Sequence, residues 1–242
     1  MAGDVELRHL VEDLRVRFEC LEPVGETGRD VERAVVLRRE RRREPAAERR
    51  RAGAQVEDHV VDAAAREVAD VLGLDAYSVD GHPLETVVGN LLVERGFRIA
   101  IAESCTGGLL ASRLTDVAGS SRYVDRAVVA YANQAKVSLL GVPESTIAAE
   151  GAVSEPVALA MAEGIRSSAN VDVAVGVTGI AGPGGGSTEK PVGTVAVAVV
   201  VPGEERSKTF RFAGDREQVK FQATQAALDM VRRMLLSSSP SA

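Results

Sequence analysis

Ser104, Cys105 and Thr106 stand side by side in AESCTGG, residues 102–108. An apolar run precedes them and two glycines follow. Each side chain offers a nucleophilic oxygen or sulfur, and each needs a base to take its proton. The same residue types before Gly-Gly also suit a helix cap, where a side-chain oxygen accepts from an N–H of the first turn. The local sequence does not choose between centre and cap, nor among the three nucleophiles. The base is more constrained. The three histidines are His9, His59 and His82, so nothing from residue 83 onward supplies an imidazole. A lysine, a carboxylate or a tyrosine must serve instead. A lysine does so when burial or a nearby cation lowers its pKa toward neutrality.

Two further segments hold groups of the right kind. AYANQAKVSLLG carries Tyr131, Asn133 and Lys136. Taken alone, Lys136 reads as an ordinary solvated surface charge. GVTGIAGPGGGSTEKPVG carries Thr178, Gly179, Gly182, Gly184 and Gly185. A glycine-rich loop of this sort is usually a connection, but its exposed N–H groups can also bind an anion. It does not match G-x-x-x-x-G-K-[ST], so an ATP-binding phosphate loop has no support. No Cys/His cluster exists, and no metal site is expected.

The elements that would position these groups are legible from periodicity. FRIAIAE, DRAVVAYA, VDVAVGVTG, TVAVAVVV and RSKTFRFAG read as strands, the last two joined at PGEE as a hairpin. PLETVVGNLLVERG places Leu84, Val87, Val88, Leu91 and Leu92 on one helical face, with Gly96 as the stop. GGLLASRLTDVAG and NQAKVSLLG read as short helices. SEPVALAMAEGIRSSA starts a longer one, with Ser154 at the cap and Pro156 in its first turn. DREQVKFQATQAALDMVRRML closes the chain as a helix with Asp215 near its start. Strands alternating with helices imply an α/β fold built on a layered sheet flanked by helices, and the final hairpin makes that sheet mixed. The three candidate segments then fall at the carboxyl ends of strands, where such sheets gather ligands.

The composition bounds the rest. The chain has 242 residues with 45% hydrophobic and only 3% aromatic content, so its core must be aliphatic. A net charge of −6 argues against a general nucleic-acid binder. Cys20 and Cys105 are the only cysteines, which fits a reduced, cytoplasmic setting. No apolar run reaches membrane-spanning length. The first 60 residues differ in kind. RRERRREPAAERRRAG, residues 38–53, is an arginine–glutamate tract broken by Pro45 that reads as a solvated segment, and VELRHLVEDLRVRF, residues 5–18, as a short amphipathic helix.

Five blocks occur in order: AESCTGGLLASRLTDVAGSS, AYANQAKVSLLGVP, GAVSEPVALAMAEG, GVTGIAGPGGGSTEKPVGTV and FAGDREQVKFQATQAAL. Together they closely resemble the C-terminal domain of the competence/damage-inducible CinA family, which includes bacterial nicotinamide mononucleotide deamidases. The resemblance assigns residues 84–236 to that domain and 64–83 to a linker like the interdomain junction of full-length members. Residues 1–63 become a charged extension, poorly structured or partly helical, and 237–242 a disordered tail. Full-length members carry an N-terminal domain resembling molybdopterin-binding proteins, and residues 1–63 do not resemble it.

What the resemblance implies is an amidohydrolase. It would convert nicotinamide mononucleotide and water to nicotinate mononucleotide and ammonia, without a cofactor. Ser104 would be the nucleophile and Lys136 its base. Tyr131 would orient the lysine or share its proton. Backbone N–H groups near Thr106 and Gly107 would hold the oxyanion. Asn133 and the loop residues Thr178, Gly179, Gly182, Gly184 and Gly185 would receive the ribose and phosphate, with Arg216 as a clamp. The family's closing block often reads G-D-R-x-x-[IV]-R, and here the last position is Lys220, a poorer partner for bidentate contact. A related nucleotide amidase is a neighbouring reading. A non-catalytic accessory role in DNA uptake or damage response is the alternative from another class. A homodimer is the expectation for assembly.

Overall fold

The computed structural model describes residues 65–237, residue 63, and the backbone of two strands nearer the N-terminus. Those strands, β1 (Val16–Cys20) and β2 (Val35–Arg39), pair antiparallel, and β2 pairs parallel with β3 (Ala76–Ser78). Residues 16–18, read from the sequence as the end of a helix, therefore lie in a strand. The rest of that expected helix, and residues 40–53 of the arginine–glutamate tract, lie outside the described residues. Helix α1, residues 65–72, and β3 occupy the stretch expected as a linker. Ala65 and Val68 are buried there, with Ala69 and Leu72 packed against them. This three-stranded unit ends at Pro83, and a second unit takes up the chain from Leu84.

The second unit is a five-stranded sheet in the order β5-β4-β6-β7-β8. Its strands are β4 (Ile99–Glu103), β5 (Val124–Val129), β6 (Val173–Gly179), β7 (Thr194–Val201) and β8 (Glu204–Arg211). β4 runs parallel to both β5 and β6, whereas β7 and β8 continue antiparallel. The sheet is mixed, as its closing hairpin predicts. Strands β4, β6 and β7 are apolar on both faces because helices cover both.

Among the described residues, six α-helices complete this unit: α2 (Leu84–Arg95), α3 (Leu109–Thr115), α4 (Asn133–Leu140), α5 (Glu144–Glu150), α6 (Glu155–Ala169) and α7 (Arg216–Ser237). Ala100, Ala102, Ala174, Ala196 and Ala198 face α6 and the end of α4, in one core with Leu140, Val157, Met161 and Ile165. Small residues let α6 lie close. A β-carbon on Gly176 would stand 2.0 Å from the Ala158 carbonyl, and one on Gly164 only 1.7 Å from the Leu140 carbonyl. Helices α2, α3 and α7 pack together on the other face. There the buried Arg113 of α3 donates to Glu85 of α2 and to Thr224 and Gln225 of α7, and lies 4.9 Å from the Phe221 ring centre. At the start of α7, Asp215 and Gln218 each accept the other's backbone N–H, a capping box.

The connections set up the site. From β4 the chain passes through α3 to β5 on one side of β4. It then returns through α4, α5 and α6 to β6 on the other side. The carboxyl end of β4 is thus where the direction of winding reverses, the position at which open α/β sheets leave a crevice.

Candidate active site

Ser104 is the first residue past β4. Its N–H donates to the Val177 carbonyl of β6 (2.9 Å), while Ala130, just past β5, donates to the Glu103 carbonyl (2.8 Å). Both neighbouring strands therefore fix where β4 ends. The chain then reverses in a turn, closed by the Gly107 N–H donating to the Ser104 carbonyl at 3.1 Å. Gly107 and Gly108 take φ values of +63° and +95° at the turn, a region open mainly to glycine.

Neither Ser104 nor Thr106 caps α3 through its side chain, which corrects the cap reading of this stretch. The residue preceding α3 is Gly108, and the capping group is Glu103. One carboxylate oxygen of Glu103 accepts from the N–H groups of Gly108 (2.9 Å) and Leu110 (3.2 Å), and the other from Ala111 (2.9 Å). Leu109 donates to the Thr106 carbonyl at 3.3 Å. The N–H groups that a helix start ordinarily leaves free are all engaged. Nothing among the motifs read from the sequence singles out Glu103. Its signal was a carboxylate at the end of an apolar strand, aimed at a helix that begins six residues later.

Lys136 lies in the first turn and a half of α4 and is buried, with only 2% of its surface exposed. It is not the solvated charge that its sequence position suggests in isolation. Its Nζ donates to Ser104 Oγ at 3.1 Å and to the Tyr131 carbonyl at 3.3 Å. No carboxylate pairs with it among the described residues. Burial therefore lowers its pKa below the usual lysine value of 10.5. Burial acts oppositely on the neighbouring thiol and pushes Cys105 up to about 12, so that side chain is a neutral thiol near pH 7. Cys105 packs under the turn, where its sulfur would lie 2.9 Å from a β-carbon on Gly179.

The remaining expected residues divide between structural and open positions. Tyr131 is exposed. It meets Lys136 through its backbone carbonyl, not its hydroxyl, which accepts from Arg216 Nη2 at 2.8 Å. Arg216 also donates from Nη1 to the Gly182 carbonyl at 2.8 Å, so it straps the glycine-rich loop to Tyr131. Thr178 is buried and donates its hydroxyl proton to the Ala152 carbonyl, away from any ligand role for its side chain. Gly179 is held between Val195, Cys105 and Thr194. Gly184 has open space around it, and Gly182 and Gly185 take positive φ along the loop. Asn133 is exposed at the start of α4. Lys220 extends its Nζ to within 3.8 Å of where a β-carbon on Gly107 would stand, placing a cation over the turn that follows Ser104. The Thr106 hydroxyl is buried without a partner among the described residues. Among the described residues, no three His, Cys, Asp or Glu side chains converge to hold a metal ion.

Fold and site together define a class: a three-layer, mixed-sheet α/β protein with a buried serine–lysine pair at the point where the sheet's winding reverses. Comparison with known proteins agrees. The model of the CinA C-terminal domain matches residues 81–235. The CinA-like protein of Syntrophobacter fumaroxidans is 60% identical over 156 residues, 64% of this chain and 37% of that protein. The CinA-like protein of Geotalea daltonii is 46% identical over 180 residues, 74% of this chain and 44% of that protein. Among solved structures, the CinA superfamily protein from Klebsiella pneumoniae 700603 is 38% identical with a TM-score of 0.62, covering 64% of this chain and 97% of that one. The competence/damage inducible protein CihA from Agrobacterium tumefaciens is 42% identical with a TM-score of 0.61, covering 64% and 94%. The chain belongs to the CinA C-terminal domain family. It spans less than half the length of those two curated relatives. No described helix is long and apolar enough to cross a membrane.

Proposed function

We propose that the site hydrolyses the carboxamide of nicotinamide mononucleotide to nicotinate mononucleotide and ammonia, with Ser104 as nucleophile and Lys136 as general base and acid. The observation that carries this reading is the 3.1 Å contact between Lys136 Nζ and Ser104 Oγ, both buried. A lysine kept from solvent and unpaired with a carboxylate among the described residues is poised to be neutral, and a neutral amine at hydrogen-bond distance can take the proton of that hydroxyl.

In the reaction, Lys136 takes the Ser104 proton as Oγ bonds to the carboxamide carbon, and the carbonyl electron pair moves onto oxygen. Gly107 spends its N–H within the turn, so the sequence expectation for the oxyanion moves by one residue. Among the described residues, the Thr106 N–H has no partner and the Cys105 N–H meets only its own thiol, so these two are the candidates. Protonated Lys136 then gives its proton to the departing nitrogen, and ammonia leaves an acyl-serine. Water attacks that ester while Lys136 takes its proton, and Lys136 then returns that proton to Ser104 Oγ as the C–O bond breaks and the acid leaves. The buried Thr106 hydroxyl lacks a partner, which favours a substrate atom or a water completing it. Lys220, over the turn, is the better placed cation for the nucleotide phosphate. Arg216 already serves Gly182 and Tyr131, and contributes by holding the loop that receives the ribose.

The test is ammonia release from nicotinamide mononucleotide by the purified chain and by Ser104→Ala. The variant should retain the fold and lose activity by at least about 10³-fold. Full activity in the variant, or no release by the parent chain, would sink the reading.

A further inference from the structure

Glu103 stands out because a fully buried carboxylate in this position has no cation partner among the described residues. Its neutralisation comes entirely from three backbone N–H groups, those of Gly108, Leu110 and Ala111, at 2.9, 3.2 and 2.9 Å. Such charge-assisted bonds are about twice as strong as neutral ones. They tie the last residue of β4 directly to the first turn of α3, spanning the turn that presents Ser104. With Leu109 donating to Thr106 and Gly107 to Ser104, every N–H from Gly107 to Ala111 has a partner within the chain. Among the described residues, the Cys105 N–H, at the centre of the turn, meets only its own thiol, and the Thr106 N–H has no partner.

We propose that Glu103 is a positioning residue for the nucleophile. Its carboxylate occupies the N-terminus of α3, which closes that helix end to ligands and leaves Cys105 and Thr106 as the oxyanion donors, while the tether fixes Ser104 against Lys136. This rests on the amidohydrolase reading, and it extends that reading to a residue that touches neither substrate nor the reacting atoms. A glutamine keeps the size of the side chain but turns one oxygen into a donor, which then faces N–H donors. The turn must shift to relieve them. A displacement of about 1 Å at reacting groups costs on the order of 10²-fold in rate. The nucleotide contacts at Lys220 and the loop stay in place.

Two measurements test it. In the first, Glu103→Gln and the parent chain are compared on nicotinamide mononucleotide, below the melting temperature of each. The expected result is a kcat lower by about 10- to 100-fold with KM within about threefold. A general loosening would instead raise KM as well. A kcat within about twofold of the parent overturns the proposal. The second uses only the parent chain, so it stands even if the variant does not fold or the parent proves inactive. Amide hydrogen exchange should be slow at Gly108, Leu110 and Ala111 and fast at Cys105 and Thr106. Equal rates at all five overturn the proposal. An inactive parent with that exchange pattern would retire the amidohydrolase reading and leave the tether standing.

Discussion

Lys136 brings an amine into an environment that disfavours its charge, and both its chemistry and its cost follow. The sign of the cost is fixed. Its folded pKa lies below the 10.5 of a free lysine, so between the two values the unfolded chain binds more protons and stability rises with pH. Lys136→Met removes that dependence. Thermal melts over a pH series should show the variant most favoured relative to the parent below the folded pKa, with the difference narrowing as pH approaches 10.5. A difference that stays constant would mean that burial does not perturb this lysine. Activity follows the same group: kcat should rise with pH through the lowered pKa, and Lys136→Met should lose about 10²- to 10⁴-fold. Cys105 makes the opposite case. With its thiol pushed up to about 12 it is protonated at any working pH, and Cys105→Ser should keep ammonia release within about threefold. A collapse of activity there would reassign the nucleophile. The sequence located these residues but did not rank them. Burial separates Lys136 from an ordinary surface lysine, and burial is a property of the assembled layers.

The helices and strands that carry the pair were largely legible, because each shows its period. α2 buries Leu84, Val88 and Leu92 as a single stripe, and β6 and β7 read as unbroken apolar runs. What escaped has a physical reason. α5, ESTIAAE, buries no residue and so presents no apolar stripe to detect. Ser154 precedes α6 as expected but donates its hydroxyl proton to the Gly151 carbonyl rather than accepting from the helix. The cap of α3 escaped because its carboxylate comes from the preceding strand. Glycines at helix contacts were invisible too, since their importance depends on what lies opposite. Gly164 is the sharpest case. A methyl there would meet the Leu140 carbonyl, the end of the helix that bears Lys136. Gly164→Ala should therefore push α4 away from α6, lower stability by about 1–3 kcal/mol, and reduce kcat more than a surface Gly→Ala of equal stability cost. Chemical denaturation paired with kinetics measures both. Undisturbed kinetics in a destabilised variant would show that α4 absorbs the shift.

At the scale of the molecule, the match to residues 81–235 and the two solved relatives, each covered at 94% or more of its own chain, describe the same body. A chain beginning near residue 81 should fold cooperatively and keep the kcat of the full chain on nicotinamide mononucleotide. Loss of activity in a well-folded fragment would give the N-terminal unit a part in the reaction. The low aromatic content has a corollary at this scale as well: the described interior is mostly Val, Ala, Leu and Ile, joined by Met161, Met230, Met234 and Tyr123, and each Val, Leu or Ile is worth about 1.5–3 kcal/mol on full burial. Sequence composition alone predicted that.

Ser104 and Lys136 also come from opposite layers. Ser104 leads into α3, on the face shared with α2 and α7, while Lys136 rides on α4, whose end joins the core beneath α6. The sheet edge lies between them like the jaw of a caliper, and the 3.1 Å gap is the reading. Any mutation that thickens or thins one layer, even one far from this pair such as a larger side chain opposite Gly176, is then reported in that distance. The Ser104–Lys136 spacing doubles as a gauge of how tightly the helices lie on the sheet.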